Sequence, residues 1–433
     1  MQIQIPKTLP SQTTENLSPG DYSSAPARMH LSLLQAMSGR IVIFGAGVAG
    51  EALYHICRDW HIDVNCFCDN NRNKAGRSLY GIPVVHISEV GKRVEHPVFL
   101  ISAADIVDVI EQLENLGFRK WFDSSLLLNE FDAQRHDLSV PPDFAEYVIS
   151  TCIVCHQAFR NPQSIFLRSV DLVITERCSL RCRDCANLMQ YYRKPRNYHL
   201  PNILEAVDRL ADIVDSVNEI RVIGGEPLMS PAFSDIVKRL NKEPKFRKII
   251  IYTNGTICPT EQRLDQLESP KILFFITNYG KLSKNLERLT TRLGEHNLRY
   301  FVQPAQGWSR CGTIGWHQRD QQELQAVFNK CCAKHVVTLM NGNLYRCPFS
   351  ANASTLKAIP NYSEDSVAIC EQSNLRQNLK SLKHDVLQLF SQRHALQACN
   401  YCEGRPFGAP EIEPAIQAGY PLDYTEICCS KTS

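Results

Sequence analysis

A short apolar run, Leu172 to Thr175, has strand composition and breaks into a polar loop that carries Cys178, Cys182 and Cys185 at the spacing C-x3-C-x2-C. These three thiols constrain the chain more than any other feature, because they fix where a strand ends and what chemistry its loop serves. A structural zinc site takes four protein ligands, usually as two C-x2-C knuckles, so three cysteines with an unequal first gap suit it poorly. An iron–sulfur cube suits them better. Three irons take thiolates and the fourth keeps a position open for a small molecule.

The segments that follow alternate regularly. A helix over Pro201 to Val217 carries Ile203, Leu204, Val207, Leu210, Ile213, Val214 and Val217 as one apolar stripe, which must face a sheet. Strands at Glu219 to Ile223, Ile249 to Tyr252, Lys271 to Ile276 and Arg299 to Val302 are separated by helices at Ala232 to Leu240, Glu261 to Leu267 and Asn285 to Leu293. Strand–helix repetition of this kind gives a parallel sheet with its functional loops at the strands' C-terminal ends. Gly224-Gly225-Glu226-Pro227 and Thr253-Asn254-Gly255 both fall at that end, as the cysteine loop does.

The cysteine loop, the GGEP run and the TNG run, in this order, resemble the radical S-adenosylmethionine (SAM) superfamily. The resemblance implies an α/β fold with a partial (β/α)6 barrel over residues 170–325. It implies a 4Fe-4S cluster on Cys178, Cys182 and Cys185, whose open iron binds SAM, and a flavodoxin- or ferredoxin-type electron donor. Reductive cleavage of SAM would then give a 5′-deoxyadenosyl radical that takes a hydrogen atom from the substrate. Gly224, Gly225, Glu226 and Pro227 are implied to hold the methionine part of SAM, and Thr253 and Asn254 to touch the cofactor. The residue before the third cysteine, commonly aromatic in that superfamily, is Asp184 here.

A second cysteine set follows the barrel. Asn341-Gly342, between an apolar run and Leu344 to Arg346, signals a two-residue hairpin that brings Cys347 back toward Cys331 and Cys332. Cys399 and Cys402 form a C-x2-C knuckle further on. Four such ligands also suit a zinc ribbon. From Cys332 the pattern C-x9-G-x4-C and then C-x2-C resembles the SPASM/Twitch domain of radical SAM enzymes, in its shorter Twitch form. The resemblance implies one auxiliary 4Fe-4S cluster on Cys332, Cys347, Cys399 and Cys402 within residues 326–433. Spacing alone does not decide between Cys331 and Cys332, and Cys428 and Cys429 are adjacent and wrongly spaced for a second cluster.

The front of the chain carries another pattern. Strand Ile41 to Phe44 runs into Gly45-x-Gly47-x-x-Gly50 and a helix, and strand Val64 to Cys68 ends in Asp69, where a dinucleotide fold meets a ribose hydroxyl. Strand Pro97 to Ile101, helix Ile106 to Leu116 and Trp121-Phe122 complete a Rossmann-like parallel sheet over residues 31–135. Its wording resembles the front domain of PglD-type sugar acetyltransferases, which implies nucleotide or nucleotide-sugar binding. Glycines that only pack a helix on a strand are the competing account. Residues 136–169, with breakers Pro141-Pro142, are expected to be a linker; they hold Cys152, Cys155 and His156, a haem-attachment spacing that belongs to exported proteins. Residues 1–30, rich in Ser, Thr, Pro and Gln, are expected to be a disordered tail.

With 433 residues the chain should form several domains, and 44% hydrophobic with 21% charged residues is ordinary globular composition. A net charge of +2 gives no pull toward nucleic acid or membrane, and no apolar run approaches the ~18 residues that span a bilayer. A cytoplasmic location is expected, where eighteen cysteines point to metal ligation rather than disulfides. The expected substrate is a small molecule, a carbohydrate or nucleotide-sugar, undergoing dehydrogenation or epimerisation. Cys311 is the candidate hydrogen donor, against a plain buried cysteine. Arg177, Arg181, Arg183, Arg193, Lys194 and Arg196 suit an anionic substrate or a solvated loop. The alternatives are maturation of a ribosomally made peptide and an NAD-dependent oxidoreductase with a zinc-stabilised tail.

Overall fold

The computed structural model describes residues 27–265, 267–370, 378–391, 394–406 and 408–425. Residues 1–26 of the expected tail lie outside these, as do Cys428 and Cys429; a helix over Ala27–Gln35 begins within the remainder of that tail. The chain divides into two compact units, the first ending at Ser164 and the second beginning at Ile165.

In the first unit, β1 (Ile41–Phe44), β2 (Val64–Asp69), β3 (Ser78–Leu79), β4 (Ile82–His86), β5 (Val98–Ile101) and β6 (Trp121–Asp123) form one sheet in the order β3-β4-β2-β1-β5-β6. Only β3 pairs antiparallel, with β4. Strand β1 is apolar at every position because both its faces are covered. Ile41 and Ile43 join a buried cluster with Leu53, Ile56 and Ile149, while Val42 and Phe44 join another with Ile106, Val109 and Ile110. Each such side chain contributes about 1.5–3 kcal/mol by leaving water.

Residues 136–169 are not an irregular linker: they contain a 19-residue helix, Pro142–Arg160. The proline pair that signalled a break instead starts it, because Pro142 stands in the first turn, where its missing N–H had no helical partner to lose. Ala145, Ile149, Cys152 and His156 recur on one buried face at helical spacing, so the segment packs within the first unit.

In the second unit, β7 (Phe166–Val173), β8 (Ser216–Ile223), β9 (Phe246–Thr253), β10 (Ile272–Asn278) and β11 (Arg299–Pro304) pair in parallel in chain order. β12 (Val337–Met340) adds parallel to the free side of β7 and turns into antiparallel β13 (Asn343–Tyr345), which pairs with β14 (Ser366–Ala368). The β12–β13 turn is Asn341-Gly342, with φ of 50° and 73°, the pair of left-handed residues that a type I′ hairpin demands. Leu172, Val222, Ile251 and Phe274 lie in register and pack under helices Leu200–Ile213, Phe233–Asn241 and Leu286–Glu295. One residue along, the period of two turns Asp171, Arg221, Tyr252 and Phe275 to the opposite face. The architecture is thus α/β, with two sheets dominated by parallel strands and a cysteine-rich C-terminal region.

Candidate functional site

The loop after β7 is tied at both ends. Thr175 Oγ1 donates to Asn197 Oδ1 at 2.8 Å and accepts the Arg177 N–H at 3.0 Å, while the Glu176 carboxylate accepts from the Arg196 N–H at 3.0 Å and the Tyr198 hydroxyl at 2.9 Å. Between these ties stand the three cysteines, and each sulfur faces N–H donors. Asn254 Nδ2 lies 3.7 Å from Cys178 Sγ and Gln417 Nε2 lies 3.3 Å from Cys182 Sγ. Backbone N–H groups of Met189, Asn187 and Leu188 face Cys185. Burial pushes all three thiols up, Cys182 to about 11, with Gln417 pulling it back. Buried sulfurs ringed by donors suit thiolates whose charge a metal cluster shares.

The GGEP loop after β8 docks directly on this loop. Gly225 N–H donates to the Thr175 carbonyl at 3.0 Å and Glu226 N–H to the Arg177 carbonyl at 2.8 Å. A Cβ on Gly225 would collide with the Arg177 carbonyl and with Cys178 Cβ, so this approach admits only glycine. The Glu226 carboxylate is fully buried and accepts three bonds: Leu228 N–H at 3.1 Å, Thr253 Oγ1–H at 3.0 Å and Asn254 N–H at 2.9 Å. Burial pushes its pKa up to about 7 against the pull of those donors. The three strand-end motifs therefore interlock, with Glu226 joining the loops after β8 and β9. Its side chain serves Thr253 and Asn254, a structural task that the sequence did not signal.

In the second set, Cys331 rather than Cys332 accompanies Cys347, Cys399 and Cys402. Burial pushes Cys347, Cys399 and Cys402 up, Cys399 to about 12, and Cys331 adds repulsion to each. Cys332 is exposed, and its backbone N–H donates to the Arg405 carbonyl at 2.8 Å. The physical reason is the path of the chain: Cys331 caps the helix Gln321–Lys330 and bridges to Pro406 beside the knuckle, so the next side chain points away. N–H donors meet these sulfurs too, from Ala333 to Cys331 at 3.4 Å, Ser350 to Cys347 at 3.3 Å and Gly404 to Cys402 at 3.3 Å. Asp365 holds the knuckle by accepting from Gln397 N–H at 3.0 Å and Ala398 N–H at 2.9 Å. Among the described residues no three His, Cys, Asp or Glu side chains converge tightly enough for a single metal ion. A cluster makes no such demand, because each thiolate binds a different iron.

Sequence reasoning passed over the face of the sheet opposite the helices, where Asp171 and Phe275 are buried. Arg221 Nε donates to Asp171 Oδ1 at 2.5 Å, and its guanidinium stands 5.7 Å from the centre of the Tyr252 ring, which stacks on Phe275 at 5.4 Å. Burial raises the Asp171 carboxyl even against Arg221, and pushes Tyr252 up to about 12. The signal was present: a charged residue inside each of the apolar strands VDLV and IRVI. Cys311 is buried with its sulfur 3.7 Å from the Asp184 carbonyl, beside the cluster loop. Of the six basic residues, Arg177, Arg183, Arg193, Lys194 and Arg196 are exposed; Arg193 pairs with Asp423 and Arg196 with Glu176. That is the geometry of a solvated loop.

In the first unit, Gly45, Gly47 and Gly50 line the turn from β1 into the helix Val48–Asp59. A Cβ on Gly50 would strike the Gly45 carbonyl, whereas one on Gly47 would meet open space. Asp69 is already committed within the protein: it accepts from Ala46 N–H at 3.0 Å, Lys74 Nζ at 2.8 Å and Asn71 N–H at 2.9 Å. Burial pushes its pKa up, but these bonds outweigh it and hold the carboxyl below its usual value. His156 is a buried latch, its Nδ1 accepting from Ser124 N–H at 3.0 Å and its Nε2 facing the Ala103 carbonyl at 2.9 Å. Cys152 meets the Ser102 carbonyl at 3.3 Å, so this C-x2-C-H segment is packing rather than a haem site.

GTP 3′,8-cyclase of Clostridium acetobutylicum is 30% identical over 142 residues, 29% of this chain and 44% of that enzyme. GTP 3′,8-cyclase of Helicobacter pylori is 28% identical over 146 residues, 30% of this chain and 44% of that one. The chain thus spans less than half the length of these relatives. Among solved structures, BtrN in complex with AdoMet and 2-DOIA is similar at a TM-score of 0.36 and 17% identity, over 59% of this chain and 98% of that one. Streptococcus suis SuiB bound to S-adenosylmethionine gives 0.28 and 12%, over 67% of this chain and 60% of that one. Residues 172–276, which hold the cysteine loop and both strand-end motifs, match the Radical SAM superfamily, a family whose cofactors are a 4Fe-4S cluster and SAM.

Proposed function

We propose that the chain is a radical SAM enzyme that removes a hydrogen atom from a hydroxyl-bearing small molecule, a carbohydrate or nucleotide-sugar, and oxidises it with the help of an auxiliary 4Fe-4S cluster. The observation that carries this reading is the interlock of Cys178, Cys182 and Cys185 with Gly225, Glu226 and Asn254, which rings three thiols with N–H donors. The catalytic cluster and SAM, when bound, supply a 5′-deoxyadenosyl radical. This chain's residues do the rest: Asn254 and Gln417 donate to the ligand sulfurs, the GGEP backbone orients the methionine part, and Glu226 keeps the loops after β8 and β9 together.

Cys331, Cys347, Cys399 and Cys402 are the proposed ligands of the auxiliary cluster. Each is met by a backbone N–H, and an apolar cluster containing Leu188, Met189, Tyr191, Phe328 and Phe349 reaches cysteines of both sets. Cys331→Ala is expected to lower iron to about four per chain, while Cys332→Ala keeps about eight. The Asp171–Arg221 pair with Tyr252 offers donors and acceptors for hydroxyl groups beside an aromatic wall, which supports a polyol-like substrate. Open space over Gly47 supports a nucleotide role for the first unit.

The test is anaerobic incubation with SAM, dithionite and a panel of nucleotide-sugars deuterated at the sugar carbons. Transfer of deuterium into 5′-deoxyadenosine, with a ketone product, is expected from one class. Deuterium transfer from none, alongside SAM cleavage that proceeds, would overturn the substrate class; a colourless, iron-free preparation would overturn the whole reading.

A further inference from the structure

We propose that Arg405 is a positioning residue that ties the two cysteine sets together and holds a positive charge between them, favouring the reduced state of the auxiliary cluster. The inference rests on the auxiliary-cluster reading above. Arg405 lies three residues beyond Cys402 in the knuckle. Its Nη2 crosses to the first set and donates to the carbonyl of Ala186, the residue after Cys185, at 2.8 Å. Its own carbonyl accepts the Cys332 N–H at 2.8 Å, and the neighbouring Pro406 bridges to Cys331. One residue is therefore hydrogen-bonded to the loop of the first set and to the segment that carries Cys331 in the second.

The surroundings of its guanidinium say what the charge is for. Among the described residues Arg405 forms no ion pair with a carboxylate within bonding distance; its charge interacts mainly with thiols, those of Cys311, Cys402, Cys347, Cys331, Cys332 and Cys185, and more weakly with the Asp171 carboxyl. Arg405 is half-buried, and a half-buried cation gains from a nearby countercharge. A 4Fe-4S cluster on four thiolates carries net negative charge and gains one more on accepting an electron, so a guanidinium beside it favours the reduced form. The hydrogen bond to Ala186 holds that charge against the loop of the first set.

The test uses the full-length chain with Cys178, Cys182 and Cys185 all changed to alanine, so that any remaining cluster is the auxiliary one. Iron is counted and the midpoint potential read by EPR during a dithionite titration, alone and with Arg405→Gln or Arg405→Lys added. Arg405→Gln with full iron is expected to shift the midpoint to more negative potential, and Arg405→Lys to restore most of the shift. Should Arg405→Gln fail to hold iron, retention of iron by Arg405→Lys supports the charge, and equal loss in both makes Arg405 a mere structural tie and overturns it. An unmoved midpoint at full iron also overturns it. A triple variant that binds no iron at all would overturn the auxiliary-cluster reading itself, and this inference with it.

Discussion

Glu226→Gln is expected to remove a pH dependence of folding that the wild-type chain carries through one buried carboxyl. Glu226 is fully buried and its pKa rises from 4.5 to about 7, burial outweighing the three donors. A group whose folded pKa lies above its unfolded value binds its proton more tightly in the folded chain. Its stabilisation is therefore complete below pH 4.5 and lost as pH rises through about 7. A shift of this size corresponds to about 3 kcal/mol. In equilibrium urea unfolding of the cluster-free, SAM-free chain under anaerobic reducing conditions, wild type should thus lose about 2.5 kcal/mol of this between pH 5 and pH 8 that the glutamine variant does not lose. Other groups cancel in the difference. Asp365, raised by burial to about 6, acts with the same sign in both chains, and His55 and His156, lowered by burial, act with the opposite sign in both. Glutamine keeps one acceptor oxygen, so either Leu228 or the Thr253–Asn254 pair stays bonded, and the variant should fold. Equal pH dependence in the two chains would refute the claim that burial outweighs the three donors at Glu226.

Other perturbations separate the loops. Glu226→Ala leaves three buried donors without an acceptor and should weaken SAM binding in calorimetry while iron stays at about eight per chain; unchanged affinity refutes the role of this loop. Asp365→Ala frees the N–H groups of Gln397 and Ala398 beside the knuckle, at about 1–3 kcal/mol each, and should lower iron to about four; full iron would contradict the knuckle's support. His156→Ala should destabilise the chain by about 2–5 kcal/mol in urea titration, through a cavity and the orphaned Ser124 N–H, and a change below about 0.5 kcal/mol would refute the latch.

Much of the second unit was legible because its chemistry is local. Three cysteines in one loop, GGEP after a strand and TNG after the next each occupy a few consecutive residues, and strand–helix alternation puts them at one end of a parallel sheet. What escaped is set by packing between distant segments. Gln417 reaches Cys182 from more than two hundred positions away, and no spacing rule connects them. Cys331 and Cys332 differ only in the direction that a helix end gives each side chain. Asp171 and Arg221 lie fifty positions apart, and only the pairing of β7 with β8 sets them side by side. Pro141-Pro142 misled because proline breaks a helix interior but suits its first turn.

The most direct test of the account counts iron and follows SAM in one pair of proteins, anaerobically reconstituted wild type and the triple variant Cys178→Ala, Cys182→Ala, Cys185→Ala. With dithionite, wild type should hold about eight irons and form 5′-deoxyadenosine and methionine, whereas the variant should hold about four and form neither. A variant that keeps full iron, or still cleaves SAM, would contradict the assignment of the catalytic cluster to the loop after β7.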